Sequence, residues 1–241
     1  MKIINRQFKH ALFAVATCLF AACSTQAPLP IGHGVTDAHR ALAIRVLAKR
    51  ELRVLFVGNS YSFGAPKEFA KLAKSHGHRV HVEQSTYSRW SLRRHADSLS
   101  TRQLIREGNW DIVVFQEFSE TPALPPGKCA ARMFPALREL VVVAREHGAI
   151  PVLYQTWGRR DGSGGLAGDD FHAVTQRIRM NYRAASEAVG KIVVVPVGDA
   201  WEREVLAGNG PALFIADGSH PSAKGNRLTA SVFEYTIFGK W

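Results

Sequence analysis

The feature that most constrains the fold is an alternation of short apolar runs with longer amphipathic stretches. The short runs have the length of buried strands, and the longer stretches repeat their apolar residues at helical spacing. Strands that alternate with helices pair in parallel through right-handed crossovers, which places helices on both faces of the sheet. The runs lie at residues 52–57, 80–84, 111–115, 150–154 and 191–197, and the helical stretches include 66–76, 133–144 and 171–189. The sequence therefore predicts an α/β fold, a doubly wound, flavodoxin-like parallel sheet of about five strands flanked by helices.

The length and composition predict a single folded domain. The chain has 241 residues, 46% of them hydrophobic, and no visible internal repeat. We place a signal peptide at residues 1–23, a tether at 24–50 and the folded domain at 51–241. The tether assignment rests on the prolines and glycines at its start and on a short amphipathic stretch that follows them.

The N-terminus has the pattern of an export signal. Three basic residues precede an apolar run at 11–22, which is too short to span a bilayer and is followed by polar residues. Residues 20–23 resemble a bacterial lipobox, in which Cys23 is lipidated and becomes the new N-terminus. We therefore expect an exported lipoprotein held at a bacterial membrane by Cys23. Because Phe20 replaces the usual leucine, cleavage after Ala27 to give a soluble secreted or periplasmic protein is the alternative.

The charge and the cysteine content limit which binding partners and cofactors we expect. The formal net charge of +11 falls to +8 when the three basic residues of the signal are removed. A basic exported protein favours anionic envelope surfaces, and no nucleic-acid-binding motif is present, so we expect no nucleic-acid partner. Cys18, Cys23 and Cys129 form neither a disulfide framework nor a zinc-ligand spacing, and Cys129 is expected to be buried. We expect no metal and no organic cofactor, and the oligomeric state is left open.

Two short motifs supply the groups of a nucleophilic catalyst. Gly58-Asn59-Ser60 follows the first predicted strand, which puts Ser60 at the carboxyl edge of the sheet, where open α/β folds bind ligands. Near the C-terminus, Asp217 precedes His220 by three residues, so the carboxylate can meet the ring and leave Nε2 free to take the serine proton. Each motif alone is typical of an ordinary turn. Together they predict a Ser60-His220-Asp217 triad.

At these residues the chain resembles the SGNH, or GDSL-like, hydrolases. That superfamily has a Gly-Asp-Ser block, an Asp-x-x-His block, and two blocks between them that supply a glycine and an asparagine to the oxyanion hole. The chain is most similar to a bacterial subgroup with Gly-Asn-Ser at the nucleophile and Gln-Glu at the third block, here Gln116 and Glu117, over roughly residues 52–238. The resemblance implies an oxyanion hole made by Ser60, Gln116 and Ser88.

The chain departs from the superfamily pattern at two blocks. Asn59 stands where aspartate is usual, next to the nucleophile but outside the triad. The second block, at residues 88–92, contains no glycine, so an N–H of Ser88 or Arg89 would have to replace the glycine N–H. Gln116 also has a structural interpretation, because a polar residue at a strand end can satisfy backbone groups. Glu117 is expected to be structural or solvated.

The loops at the same edge are expected to shape the substrate site. Trp157, after the fourth predicted strand, and Arg89 are the candidates for its wall. Trp157 would offer an apolar or sugar-stacking surface, or would cover the core. Residues 158–169 contain five glycines and predict either a lid or a surface loop. The arginines on these loops are compatible with an anionic substrate or an acidic glycan.

The sequence thus predicts an exported carboxylic-ester hydrolase, with an acylated glycan of the cell envelope as the first substrate class to test. The alternative is a non-catalytic envelope module that holds a glycan in the same pocket. The absence of a second-block glycine favours that alternative.

Overall fold

Five strands form one parallel sheet in the computed structural model, which describes residues 36–162 and 166–239. The strands are β1 (Leu52–Gly58), β2 (Val80–Thr86), β3 (Ile112–Phe115), β4 (Ile150–Tyr154) and β5 (Val193–Val195). They are ordered β2-β1-β3-β4-β5, and every neighbouring pair is parallel. The predicted five-stranded α/β architecture is confirmed. The chain order reverses between β1 and β3, and in such folds ligands bind at the carboxyl ends of the strands near that point.

Besides two short 3₁₀ helices, the described part of the chain contains eight α-helices. They are α1 (Asp37–Leu47), α2 (Ala65–Ser75), α3 (Leu92–Asp97), α4 (Leu99–Glu107), α5 (Pro126–Glu146), α6 (Phe171–Ala188), α7 (Val197–Leu206) and α8 (Ala223–Phe238). None of these helices has the length and apolar character needed to cross a membrane. Cys129, in α5, is buried, as expected, and is a free thiol.

The core has two halves, one on each face of the sheet. Successive residues of a strand point to opposite faces, so Phe56 and Val114 join one apolar cluster while Leu55 and Val113 join the other. The first cluster includes residues of α1, α2, α7 and α8, and the second includes residues of α3, α4, α5 and α6. The carboxyl edge of the sheet is left open between the two layers.

The fifth strand is shorter than predicted. The apolar run at 191–197 suggested one strand, but β5 covers only Val193–Val195 and α7 begins at Val197. Pro196 lies between them, and proline has no N–H to donate to a sheet ladder. The apolar run therefore contains a strand end and a helix start.

Part of the predicted tether is folded. Within residues 24–50, α1 packs against α8, and its Leu42 side chain is fully buried in the core. Lys49 Nζ lies 2.8 Å from a carboxylate oxygen of the buried Asp111, just before β3. The folded unit therefore includes α1. The predicted signal peptide, Cys23 and residues 24–35 lie outside the described residues.

Candidate active site

Ser60 is held in a tight turn at the carboxyl end of β1. Asn59 precedes it as the N-cap of a 3₁₀ helix, Ser60–Ser62, and its side chain accepts a hydrogen bond from the Tyr61 N–H. Gly58 lets the turn lie against β3, because a Cβ at this position would stand 2.6 Å from Gln116 Oε1. As the first residue of the 3₁₀ helix, Ser60 has a backbone N–H with no intrahelical acceptor. Both the Ser60 side chain and its N–H thus stand at the open edge of the sheet.

The structure brings the three predicted triad residues together. Ser60 Oγ lies 2.8 Å from His220 Nε2, and His220 Nδ1 lies 2.5 Å from Asp217 Oδ2. A carboxylate can only accept, so Nδ1 carries the ring proton and Nε2 is left to accept from the serine hydroxyl. This is the tautomer that a serine nucleophile requires.

Backbone contacts fix the Asp217 carboxylate beneath His220. Asp217 Oδ1 accepts from the N–H groups of Ser219 and His220, both at 2.9 Å. Gly218 has a φ of +65°, which the turn between the two triad residues requires. Desolvation acts to raise the pKa of Asp217, but the hydrogen bonds from the two N–H groups and the His220 ring outweigh it and lower the pKa to about 2. Asp217 is therefore ionised at neutral pH.

A stack of aromatic rings supports the histidine. Trp157 lies between Trp201, 3.7 Å away by ring centroids, and Tyr61, 4.8 Å away, and both neighbours are nearly parallel to it. The Tyr61 ring meets His220 edge-on at 5.3 Å. The Tyr61 hydroxyl is hydrogen-bonded to Ser219 Oγ at 2.6 Å, and Trp157 Nε1 donates to the Ser219 carbonyl.

This stack corrects the prediction that Trp157 is a substrate wall. Trp157 borders a cavity beside Tyr61 but is only 1% exposed, because its two faces are covered by Tyr61 and Trp201. A sugar ring therefore cannot stack on it. Trp157 instead covers the core, which was the second interpretation of its position, and it braces the loop that bears His220.

The amide of Gln116 is buried and fully engaged. Its Oε1 accepts from the Asn59 N–H at 2.9 Å and from Ser62 Oγ at 3.1 Å. Its Nε2 donates to Asn59 Oδ1 at 3.0 Å and to the carbonyl of Glu117. The predicted role of Gln116 as an oxyanion donor is thus contradicted, since both of its N–H groups have acceptors and the side chain is 1% exposed. Gln116 instead fixes the turn that carries Ser60.

The second-block loop presents its backbone to the site. Tyr87 N–H donates to the Gly58 carbonyl, and Asn59 Nδ2 donates to the Trp90 carbonyl, so the loop lies against the nucleophile turn. Between these two contacts, the N–H groups of Ser88 and Arg89 meet no acceptor in the described chain. Arg89 has a φ of +61°, in the left-handed region that favours glycine. Both residues are exposed, and a role for Arg89 in the wall of the site stays a prediction.

Two buried polar residues that sequence reasoning did not assign to the site hold this loop in place. Glu117 Oε1 accepts from the N–H of Leu92 at 3.2 Å and from that of Phe118 at 2.6 Å. His95 Nε2 donates to the Gly58 carbonyl at 2.8 Å, and burial lowers the pKa of His95 to about 4, so the ring is neutral. A lone histidine in a short helix carries no sequence signal of this role. Glu117 was expected to be structural or solvated, and it is structural.

The loop after β4 lies on the histidine loop. The Arg160 N–H donates to the Gly218 carbonyl at 2.8 Å, and Arg159 pairs with Glu120 at 3.2 Å. The Arg159–Glu120 pair borders a cavity of about 320 Å³ next to Tyr61, which also has Leu124 and Leu166 in its wall. Across the described residues, no three His, Cys, Asp or Glu side chains are grouped as a metal site would require.

Several solved structures of other proteins superpose on this chain, although no match was found by sequence. No protein-family model and no curated protein sequence matches the chain. A DUF4886 family protein from Bacteroides uniformis superposes with a TM-score of 0.69 at 18% identity, covering 79% of this chain and 84% of that one. TesA superposes at 0.59 with 18% identity, covering 77% and 98%. Axe2, an acetylxylan esterase from Geobacillus stearothermophilus, superposes at 0.60 with 18% identity, covering 79% and 95%.

The chain shares the α/β fold of these three proteins. At 18% identity the likeness shows the fold alone, so the chemistry of this chain rests on its own site. Within this fold, Ser60 follows the first strand of the sheet and His220 lies just before the last helix.

Proposed function

We propose that this protein is a serine ester hydrolase of the SGNH superfamily. The observation that carries the proposal is the hydrogen-bonded series Ser60–His220–Asp217 at the carboxyl edge of the sheet, with 2.8 Å and 2.5 Å between successive polar atoms. The conserved geometry of a triad, rather than the order of its residues in the chain, identifies a serine nucleophile. The esterase found among proteins of the same fold supports this proposal.

The geometry supports a two-step acyl transfer. Ser60 Oγ attacks the acyl carbonyl carbon while His220 Nε2 takes the hydroxyl proton, and Asp217 stabilises the resulting imidazolium. The tetrahedral intermediate collapses, the ester C–O bond breaks, and the leaving alcohol takes the proton from His220. Water then attacks the acyl-enzyme with His220 again as the base, which releases the carboxylic acid and restores Ser60.

Backbone N–H groups are the donors that we assign to the oxyanion. The Ser60 N–H lies at the start of the 3₁₀ helix, and the N–H groups of Ser88 and Arg89 lie on the adjoining loop without an acceptor in the described residues. Preorganised N–H groups of this kind stabilise a developing oxyanion. The second block has no glycine, but Arg89 adopts the left-handed backbone conformation that is typical of glycine. We therefore assign its backbone N–H the role that the glycine N–H would have.

For the substrate we propose an O-acylated glycan of the bacterial envelope. The acetylxylan esterase of the same fold supports a glycan ester, and the basic charge of the chain supports an anionic envelope surface. Export and a lipid anchor on Cys23 belong to this proposal, on the strength of the sequence pattern in residues 1–23. The mass of the mature N-terminus tests the anchor, and an unlipidated chain that begins after Ala27 would overturn it.

Fluorophosphonate labelling and ester turnover test the proposed chemistry. We expect the wild-type protein to be labelled at Ser60 and to hydrolyse p-nitrophenyl acetate. Replacing Ser60 with alanine should abolish labelling and lower turnover by about a millionfold, the scale seen when a triad nucleophile is removed. Ser75→Ala, at the far end of α2, is the matched control and should keep both. A folded wild-type protein that is neither labelled nor active would favour the binding module instead.

A further inference from the structure

A pair of aromatic rings stands open beside the nucleophile turn. Tyr87 is 43% exposed, and the Trp90 ring packs 4.3 Å from it at a tilt of 35°. Trp90 rests in turn on the buried His95, with 5.0 Å between ring centroids. The pair is therefore supported from below and presents apolar ring surface to solvent. Such a surface suits a ligand with both an apolar face and polar groups.

The chain holds this pair against the reacting residues. Tyr87 N–H donates to the Gly58 carbonyl at 3.2 Å, and Asn59 Nδ2 donates to the Trp90 carbonyl at 3.1 Å. Both contacts are made to the two residues directly before Ser60. A group bound on the ring surface would therefore lie next to the turn that carries the nucleophile.

Two arginines flank the rings without a carboxylate partner. Arg89 lies between the aromatic residues and is exposed, and the Arg94 guanidinium stands 5.9 Å from the centroid of the Trp90 ring. Neither guanidinium forms a salt bridge in the part of the chain that the structure describes. Their neighbour Arg93, by contrast, is paired with both Asp97 and Glu139.

The backbone of this loop is strained at Arg89, which carries one of the two positive charges that are unpaired among the described residues. Arg89 has a φ of +61°, a conformation that costs free energy for a non-glycine residue. Asn109 and Lys191 also have positive φ, but both lie far along the chain from the triad. Strained backbone of this kind is concentrated at binding and catalytic sites. Here the residue with this conformation is exposed and lies in the chain between Tyr87 and Trp90.

We propose that Tyr87, Arg89, Trp90 and Arg94 form a subsite for an acidic sugar unit on the alcohol side of the substrate ester. The inference rests on the proposed function and specifies its substrate. A sugar ring would pack its C–H face on the aromatic pair while its hydroxyls stay in water. The planar guanidinium groups would bind its carboxylate by charge-assisted hydrogen bonds. A long acyl chain would instead need a covered apolar groove.

The test compares an acidic and a neutral glycan ester with a small reference ester. Wild type is assayed on acetylated polygalacturonate, acetylated xylan and p-nitrophenyl acetate. We expect the acidic polymer to have the higher kcat/KM of the two polymers, and its advantage to shrink with added salt, since salt screens exposed charges. Equal efficiency on the two polymers at all salt concentrations would overturn the proposal.

Substitutions then locate the subsite. Arg94→Gln, and Arg89→Gly, which keeps the backbone N–H and removes the strain, should each lower the ratio of kcat/KM for the acidic polymer to that for p-nitrophenyl acetate. We expect a fall of about tenfold, the effect of losing one charge-assisted hydrogen bond. Tyr87→Ala should lower the ratio for both polymers. Arg106→Gln, an exposed arginine on α4, is the charge-matched control. Ratios unchanged from that control would overturn the subsite.

A binding measurement separates this inference from the proposed chemistry. Oligogalacturonate is titrated into the Ser60→Ala protein and followed by calorimetry, with xylo-oligosaccharide as the neutral comparison. Binding of the acidic oligomer that weakens in Arg94→Gln supports the subsite even if the wild-type protein hydrolyses no ester. Labelling and turnover of the small ester without any binding of the acidic oligomer would leave the hydrolase in place and overturn the subsite.

Discussion

At the scale of single residues, two buried amides hold the nucleophile turn in shape. Asn59 and Gln116 exchange two hydrogen bonds, and each side chain is 1% exposed. Buried polar groups that are fully paired fix one geometry, whereas an unpaired buried group costs free energy. We therefore propose that Gln116 is a positioning residue that acts on Ser60 through Asn59, and that backbone N–H groups bind the oxyanion.

The first prediction tests this positioning role. Gln116→Ala removes the partner of two Asn59 atoms and should lower the free energy of unfolding by about 1–3 kcal/mol for each unpaired buried group. Turnover should fall mainly in kcat, because Ser60 loses its fixed turn. Asn59→Ala should have a similar effect, and the double variant should lose less than the sum of the two. Urea unfolding and ester kinetics measure both effects.

The control for this cycle is Gln103→Ala, an exposed glutamine on α4 that should leave stability and turnover near wild type. An oxyanion donor would behave differently from a positioning residue. In that case Gln116→Ala would reduce kcat by about a hundred- to a thousandfold with little loss of stability, and its effect would add to that of Asn59→Ala. That outcome would reinstate Gln116 as a donor.

At the scale of elements, α3 is attached to the carboxyl ends of two strands. Glu117, after β3, accepts from the first N–H of α3 at Leu92, and His95 of α3 donates to the last carbonyl of β1 at Gly58. The second-block loop lies between these contacts. Its position beside Ser60 is thus set by a helix end and two strand ends rather than by residues of the loop alone.

The second prediction concerns the pH dependence of this attachment. Burial raises the pKa of Glu117 from its ordinary 4.5 to about 7, although two backbone N–H groups oppose the shift. Two side chains that interact with it, Cys129 and Tyr182, also have raised pKa values and are neutral at this pH. A raised carboxyl pKa means that the stability contribution is fully present below about pH 4.5 and is lost as the pH rises through about 7.

Glu117→Gln removes this titration while it keeps an oxygen for the two backbone donors. The free energy of unfolding of wild type should therefore fall relative to that of Glu117→Gln between about pH 5 and pH 8. Thermal or urea unfolding over that range measures the difference. Glu146→Gln, on the exposed side of α5, should show the wild-type pH dependence. Parallel curves for wild type and Glu117→Gln would mean that Glu117 is ionised throughout.

At the scale of the whole molecule, the sequence patterns predicted the arrangement of strands and helices more accurately than the contacts between side chains. The strand runs and the Ser60, Asp217 and His220 motifs are local, and the parallel topology brings their ends to one edge. Gln116 was misassigned because strand alternation gives the face of a side chain but does not show that Asn59 covers it. Trp157 was uncertain for the same reason, since its partners Tyr61 and Trp201 are distant in sequence.

The N-terminal boundary depends on contacts of the same long-range kind. A short amphipathic stretch beside prolines and glycines is typical of a tether, yet α1 buries Leu42 in the core. Arg45 of α1 and Lys49 just after it lie beside Asp111. Those contacts lie at the amino ends of β3 and β4, opposite the triad. The docking of α1 therefore contributes to stability at the edge of the sheet away from Ser60.

The last prediction measures that contribution. Leu42→Ala should lower the free energy of unfolding by about 2–5 kcal/mol, the cost of truncating a fully buried leucine, while the kcat of the folded protein stays near wild type. Ile44→Ala, on the same helix but 68% exposed, is the matched control and should change stability little. A chain that begins at residue 51 should be less stable than one that begins at 36, since it also leaves the buried Asp111 without Arg45 and Lys49. If Leu42→Ala and Ile44→Ala were equally stable in urea unfolding, and the two shortened chains were also equally stable, residues 37–47 would be part of the tether rather than of the folded unit.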